Sequence, residues 1–191
     1  LYSFNAIAEM KFQEALREYT KSDSKSLILD MRGNPGGYLQ SAVSIASFFL
    51  PTGKVVVREH YGEGDEEKLY RSQGRTIREF KPNEMVILVD GGSASASEIL
   101  AGALREHGAA TLIGVDTFGK GSVQELIPLP DGSSVKITVA RWLTPEGISI
   151  SHEGLKPDIK ISRTPQQRLD NVDPQQAAAI DFLKGKEVKS E

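Results

Sequence analysis

The amino-acid sequence predicts an α/β fold: a mainly parallel core sheet grown from a βαβ unit, with flanking helices and one β-hairpin. Three observations carry this. Residues 27–29, 85–89 and 111–115 are short apolar runs, each followed directly by Asp, as expected of strands covered on both faces. Between the second and third runs, Ile99, Leu100, Ala103 and Leu104 step by three and four, so a helix joins two strands that lie parallel. Further on, Pro130-Asp131-Gly132-Ser133 separates two strand-like segments, residues 123–129 and 134–140, with strong hairpin chemistry.

The remaining elements follow in order. Phe12, Leu16 and Tyr19 place an amphipathic helix over residues 9–19, stopped by the polar run 21–25. The strand at 27–29 runs into the tight loop Arg32-Gly33-Asn34-Pro35-Gly36-Gly37. Leu39, Ala42, Val43, Ala46 and Phe49 give a second helix, ended by Pro51. Residues 55–57 read as a strand, and the charged, weakly periodic stretch 58–82 as a surface hairpin or flap. Near the end, Asp173-Pro174 offers an N-cap with Pro at the first helical position and Gly185 a stop, so residues 175–184 form a terminal helix, docked or free.

Composition narrows the function. The 191 residues suffice for one domain with its own core, without a metal or disulfide to hold it. Lys and Arg total 23 against 26 Asp and Glu with the signs interspersed, so there is no basic field to gather phosphates and nucleic acid is not an expected partner. The absence of Cys removes thiol catalysis and Cys-based zinc sites. The longest apolar stretch, 42–50, falls far short of the ~20 residues that cross a bilayer. Leu1 opens the chain without a charged-then-apolar leader, so the sequence reads as a fragment or mature form.

If the three strands share one parallel sheet, their outgoing loops share one edge, where open α/β sheets bind ligands. Those loops are 32–37, 91–97 and 116–121. They bring adjacent glycines whose main-chain amides suit an oxyanion hole, three serines (Ser93, Ser95, Ser97) at a helix start, and Lys120 between two glycines. Of the histidines, His60 lies in the charged segment, His107 at the far end of the helix and His152 well downstream, so none is placed to serve as a base. Lys120, buried beside apolar groups such as Phe118, is placed for it, with desolvation favouring its neutral form. Plainer readings stand beside these. Ser95-Ala96-Ser97-Glu98 fits a capping box in which Ser95 only caps the helix, Gly36-Gly37 serves as a turn, and Gly119-Lys120-Gly121 as a solvated loop. Asp30 and Arg32 read as a structural pair, Trp142 as a packing residue and His152 as a surface residue.

At these residues the sequence resembles the carboxy-terminal processing (tail-specific) proteases, serine endopeptidases with a Ser/Lys dyad. The resemblance runs through Leu27-Ile28-Leu29-Asp30-Met31-Arg32-Gly33-Asn34-Pro35-Gly36-Gly37, Gly92-Ser93-Ala94-Ser95-Ala96-Ser97-Glu98-Ile99 and Phe118-Gly119-Lys120-Gly121-Ser122-Val123-Gln124. It continues in Leu143-Thr144-Pro145-Glu146-Gly147 and Gly154-Leu155-Lys156-Pro157-Asp158-Ile159. It implies a crotonase-like protease core over residues 1–164 with a C-terminal helical tail over 165–191. It implies Ser95 as nucleophile, Lys120 as general base and Gln124 as the residue orienting the lysine. The amide of Ala96 and one from Gly36 or Gly37 would hold the oxyanion. No cofactor or metal is implied. The expected partners are protein or peptide substrates with exposed C-terminal tails, and a homo-oligomer is compatible with the resemblance, as is an exported, periplasmic or extracytoplasmic location. The PDZ domain and preceding strand usual in such proteases are expected to lie outside these residues. Two other classes remain open on the sequence: a crotonase-like acyl-CoA enzyme and a peptide-binding scaffold without turnover.

Overall fold

A strand reading MVILV, buried at every position, needs cover on both faces, and this decides the architecture around β4 (Met85–Val89). The computed structural model describes residues 1–191 other than Glu63, Asp65, Glu66 and His152. In it, β4 lies inside a four-stranded parallel sheet of order β1-β4-β5-β8, with β1 at Leu27–Asp30, β5 at Thr111–Gly114 and β8 at Ile159–Lys160. The pleat divides the strand. Met85, Ile87 and Val89 join the larger core beneath α1 (Ala8–Lys21), α2 (Leu39–Ala46) and α3 (Ala96–Glu106), while Val86 and Leu88 face a second cluster with Ile113, Ile161 and Ala179. Each such side chain contributes about 1.5–3 kcal/mol by leaving water.

The first part of the charged stretch 58–82, as far as Arg71, forms a hairpin that begins within the strand at 55. Strand β2 (Val55–His60) pairs antiparallel with β3 (Lys68–Arg71), and on its other side with β7 (Ser134–Leu143), which in turn pairs with β6 (Ser122–Pro128). The four form a second, antiparallel sheet of order β3-β2-β7-β6. Trp142 packs its ring edge-on against Tyr70 at 5.8 Å, the packing role expected of it. The β6–β7 hairpin turns at residues 129–133 and stands largely in solvent, with Leu126, Ile127, Val135 and Ile137 exposed.

The terminal helix is docked. It spans α5 (Pro174–Leu183), preceded by a short α4 (Pro165–Leu169), and Ala179 and Phe182 seat it on the second face of the parallel sheet. At its N-cap, Asp173 accepts from Gln176 N–H at 3.0 Å and forms an ion pair with Arg32 at 2.9 Å, while Arg32 also holds Asp30 at 2.6 Å. The Asp30–Arg32 pair expected from the sequence thus exists, and it reaches across 141 positions to α5. Partial burial pushes both carboxyls up, but the Arg32 guanidinium more than offsets this, and both Asp30 and Asp173 lie below the ordinary carboxylate range. The neighbouring charges are Arg163, 3.3 Å from Asp173, and the Leu1 amino group, which donates to the Asp30 carbonyl. A depressed folded-state pKa stabilises above the unfolded value of about 3.9 and loses its contribution as pH falls through the folded value. Urea unfolding at about pH 7 should therefore show Asp173→Asn less stable than wild type, with the gap closing as pH falls below the ordinary carboxylate range.

Candidate active site

Because β1, β4 and β5 are adjacent and parallel, with Asp30 opposite Leu88 and Val89 opposite Gly114, their outgoing loops leave along one edge. Hydrogen bonds join the middle loop to both neighbours. On one side Ala94 N–H and Ser97 Oγ–H donate to the Asn34 carbonyl at 3.0 and 2.9 Å, and Gly33 and Gly92 N–H share Asp90 Oδ1. On the other side Phe118 N–H donates to the Ser93 carbonyl at 3.0 Å.

This network separates the three serines. Ser93 and Ser97 are fully buried, and their hydroxyls are committed to the carbonyls of Met31 and Asn34. Ser95 is half-buried. It sits at φ 56°, ψ −116°, a conformation that costs a non-glycine residue about 1–3 kcal/mol and persists only where surrounding contacts enforce it. It also stands immediately before α3, whose N-terminal field favours negative charge on a neighbouring oxygen. Ser95 and Glu98 have the outline of a capping box, and Ser95 N–H donates to Glu98 Oε2 at 2.8 Å. The capping box expected from the sequence is present: the Ser95 hydroxyl oxygen also faces the Glu98 N–H, though not with the geometry of an ordinary hydrogen bond. The carboxylate carries the stronger half of the cap, and the hydroxyl proton has no acceptor among the described residues.

The loop glycines approach this serine at backbone contact. A Cβ on Gly36, at φ +93°, would lie 2.5 Å from the Ala94 carbonyl oxygen and 2.9 Å from Ala96 N, so only glycine fits. The Gly36 N–H donates to Asn34 Oδ1 at 2.9 Å. The amides of Gly37 and Ala96 have no hydrogen-bond partner among the described residues. Gly37 is exposed and pinned from behind, with Phe4 N–H donating to the Gly36 carbonyl and Tyr38 N–H to the Phe4 carbonyl. Asn34, wholly buried, is thus the side chain that occupies one glycine amide and leaves the next free.

Glu98 ties the third loop to the serine. It is fully buried, and its Oε1 accepts from Thr117 Oγ and Gly119 N at 2.6 Å each, its Oε2 from Ser95 N at 2.8 Å and Lys120 N at 3.0 Å. Thr117 Oγ in turn accepts from Leu155 N at 2.7 Å, so its own proton points at Glu98. The sequence offers Glu98 only as a cap partner. Its second role appears when the chain brings residues 117–120 beside it.

Lys120 does not sit as expected. Both it and Phe118 are exposed, Phe118 by 62%, and no hydrogen bond joins Lys120 Nζ to Ser95 Oγ or to Gln124 among the described residues. The cause is the direction of the loop. Phe118, Gly119 and Lys120 turn their N–H groups inward, to Ser93 O and the two oxygens of Glu98, and the side chains of Phe118 and Lys120 face solvent. Gln124 lies exposed on β6 beside a bulge, opposite Thr138. His107, at the far end of α3 about 18 Å from Ser95, has a ring nitrogen 2.7 Å from the Val55 carbonyl oxygen, and His60 lies in the second sheet. His152 falls outside the described residues. No group of His, Asp and Glu suited to a metal ion occurs among the described residues.

Comparison with known proteins places this edge in context. The chain is 41% identical over 152 residues to the carboxy-terminal processing protease CtpB of Bacillus subtilis, covering 80% of this chain and 31% of that protein. It is 39% identical over 171 residues to CtpA of the same organism, covering 90% and 36%. It thus spans about a third of the length of these curated relatives. Among solved structures, the photosystem II D1 C-terminal processing protease superposes with a TM-score of 0.78 at 37% identity, covering 85% of this chain and 41% of that one. The model of peptidase family S41 matches residues 1–161, a span that includes all three loops and the second sheet, and the chain belongs to that family.

Proposed function

We propose that this chain carries the catalytic core of a serine endopeptidase that cuts proteins or peptides near their C-terminal tails. Ser95 Oγ attacks the scissile carbonyl carbon and Lys120 Nζ takes the hydroxyl proton. The tetrahedral oxyanion lies between the N–H groups of Ala96 and Gly37. Lys120 returns the proton to the leaving amine. Water then adds to the acyl-serine with the same base, releasing the new carboxyl end and the free serine. The observation that carries this reading is the strained Ser95, whose hydroxyl proton has no acceptor among the described residues, beside the amides of Ala96 and Gly37, also without partners among them, and tied through Glu98 to the backbone of Lys120.

An extended substrate laid across the three loops would cover Lys120, remove water from its amine and favour its neutral form, with Gln124 holding it toward Ser95. Membership of family S41 supports this chemistry over acyl-CoA chemistry, which does not need a Ser/Lys pair. An exported, extracytoplasmic setting accords with the same reading. The test is incubation with an unstructured protein and mass spectrometry of the products. Wild type should release fragments from the C-terminal end, while Lys120→Ala and Lys120→Arg should release none, arginine being always protonated. Turnover by Lys120→Arg would refute the base assignment.

A further inference from the structure

Arg32 stands on the oxyanion loop but points away from Ser95, and the order of its contacts is unusual for a loop residue. Its side chain is only 14% exposed, and its nitrogens meet five acceptor oxygens. Nε donates to Asp30 Oδ1 at 3.0 Å, and Nη2 donates to Asp30 Oδ2 at 2.6 Å and lies 2.9 Å from Asp173 Oδ2. Nη1 donates to Asp173 Oδ1 and to Gln175 Oε1, both at 2.9 Å. A guanidinium has five N–H donors in a fixed fork; here four hydrogen bonds and the close ion pair of Nη2 with Asp173 Oδ2 lock its plane. Its acceptors divide between two elements: Asp30 ends β1, while Asp173 and Gln175 open α5.

The α5 side is firmly seated. Gln175 is buried and donates to the Ile161 carbonyl at 2.8 Å, Arg163 adds a second cation to Asp173, and the helix packs on Val86, Leu88 and Ile113. The oxyanion loop is a turn held beside Gly37 by its bridge to Phe4 and at Asn34 by Ala94 and Ser97, with Arg32 tying its leading end to α5, and its Gly36-Gly37 peptide must stay within a fraction of an ångström to aim an amide. A displacement of about 1 Å at a catalytic group costs on the order of a hundredfold in rate. We propose that Arg32 is a positioning residue that fixes the oxyanion loop to the N-terminus of α5, so that the C-terminal helix sets the aim of the Gly37 amide. What the loop does chemically rests on the protease reading above, but the clamp itself does not.

Three variants of the full chain test it, by hydrogen exchange followed in peptide fragments and by steady-state cleavage of an unstructured peptide. Asp173→Asn and Arg32→Gln should each raise exchange of residues 32–38 about tenfold or more while exchange across α3 stays as in wild type. They should lower kcat about ten- to a hundredfold with KM within about twofold, because the loss falls on transition-state charge. The double variant should be no worse than the poorer single, since both remove one device. Asp181→Asn, on the same helix but paired only with Lys186, should change neither readout. Unchanged exchange of residues 32–38 in Asp173→Asn overturns the proposal, and so does a rise spread equally over α3, which marks general destabilisation. A wild-type chain without Ser95-dependent cleavage would sink the protease reading, and the exchange result would still decide the clamp.

Discussion

Ser95→Ala is expected to lower peptide turnover by about 10⁴-fold or more while leaving unfolding by urea within about 1 kcal/mol of wild type. The size follows from chemistry: without the hydroxyl there is no acyl-enzyme, and only the amides of Ala96 and Gly37 remain to polarise a carbonyl. The small stability effect follows from the structure, since the helix start is held by Ser95 N–H on Glu98 at 2.8 Å, while the hydroxyl's half of the capping box lacks the geometry of an ordinary hydrogen bond. Ser95→Gly should go further in the same direction. Glycine accepts φ 56° freely, so this variant should be inactive and about 1 kcal/mol more stable than wild type, as a strained functional residue implies. Equal or lower stability of Ser95→Gly would show that the backbone there stores no strain.

Glu98→Gln is expected to be the most damaging conservative change in the molecule. Both carboxylate oxygens accept, two donors each, and all four donors are fixed by their surroundings. An amide must put its NH₂ against either Gly119 N–H or the pair Ser95 N–H and Lys120 N–H. Buried donors left facing a donor cost about 1–3 kcal/mol each, so a loss of about 2–4 kcal/mol is expected in urea unfolding. Activity of the surviving folded protein should fall about a hundredfold, because the nucleophile turn and the lysine loop lose their common anchor. Wild-type stability and turnover in Glu98→Gln would remove Glu98 from the site.

The parts of this site that lie in one stretch of chain are legible in the sequence, and the parts made by distant contacts are not. Three apolar runs each followed by Asp, with a helix-period face between two of them, are enough to set β1, β4 and β5 side by side and their loops on one edge. Two-residue β8 and five-residue α4 escape because neither is long enough to show a period. Which serine is free depends on carbonyls of Met31 and Asn34 about sixty positions away, and the choice between Gly36 and Gly37 depends on one side-chain oxygen of Asn34. The exposure of Lys120 could not be read from its neighbours in sequence either. Apolar Phe118 suggests burial, but Glu98 and Ser93 draw the loop's amides inward and turn its side chains out.

Of the three serines, Ser95 alone is expected to act as a nucleophile with a working oxyanion site. A fluorophosphonate probe tests this directly, because an activated serine oxygen attacks its phosphorus, fluoride leaves, and the polarised phosphoryl oxygen of the adduct takes the place of the oxyanion. After incubation at a pH near neutrality or above, intact-mass measurement should show one adduct per chain, and peptide mapping should place it on Ser95, with none in Ser95→Ala. A chain that takes no adduct, or takes it on Ser93 or Ser97, would contradict the account.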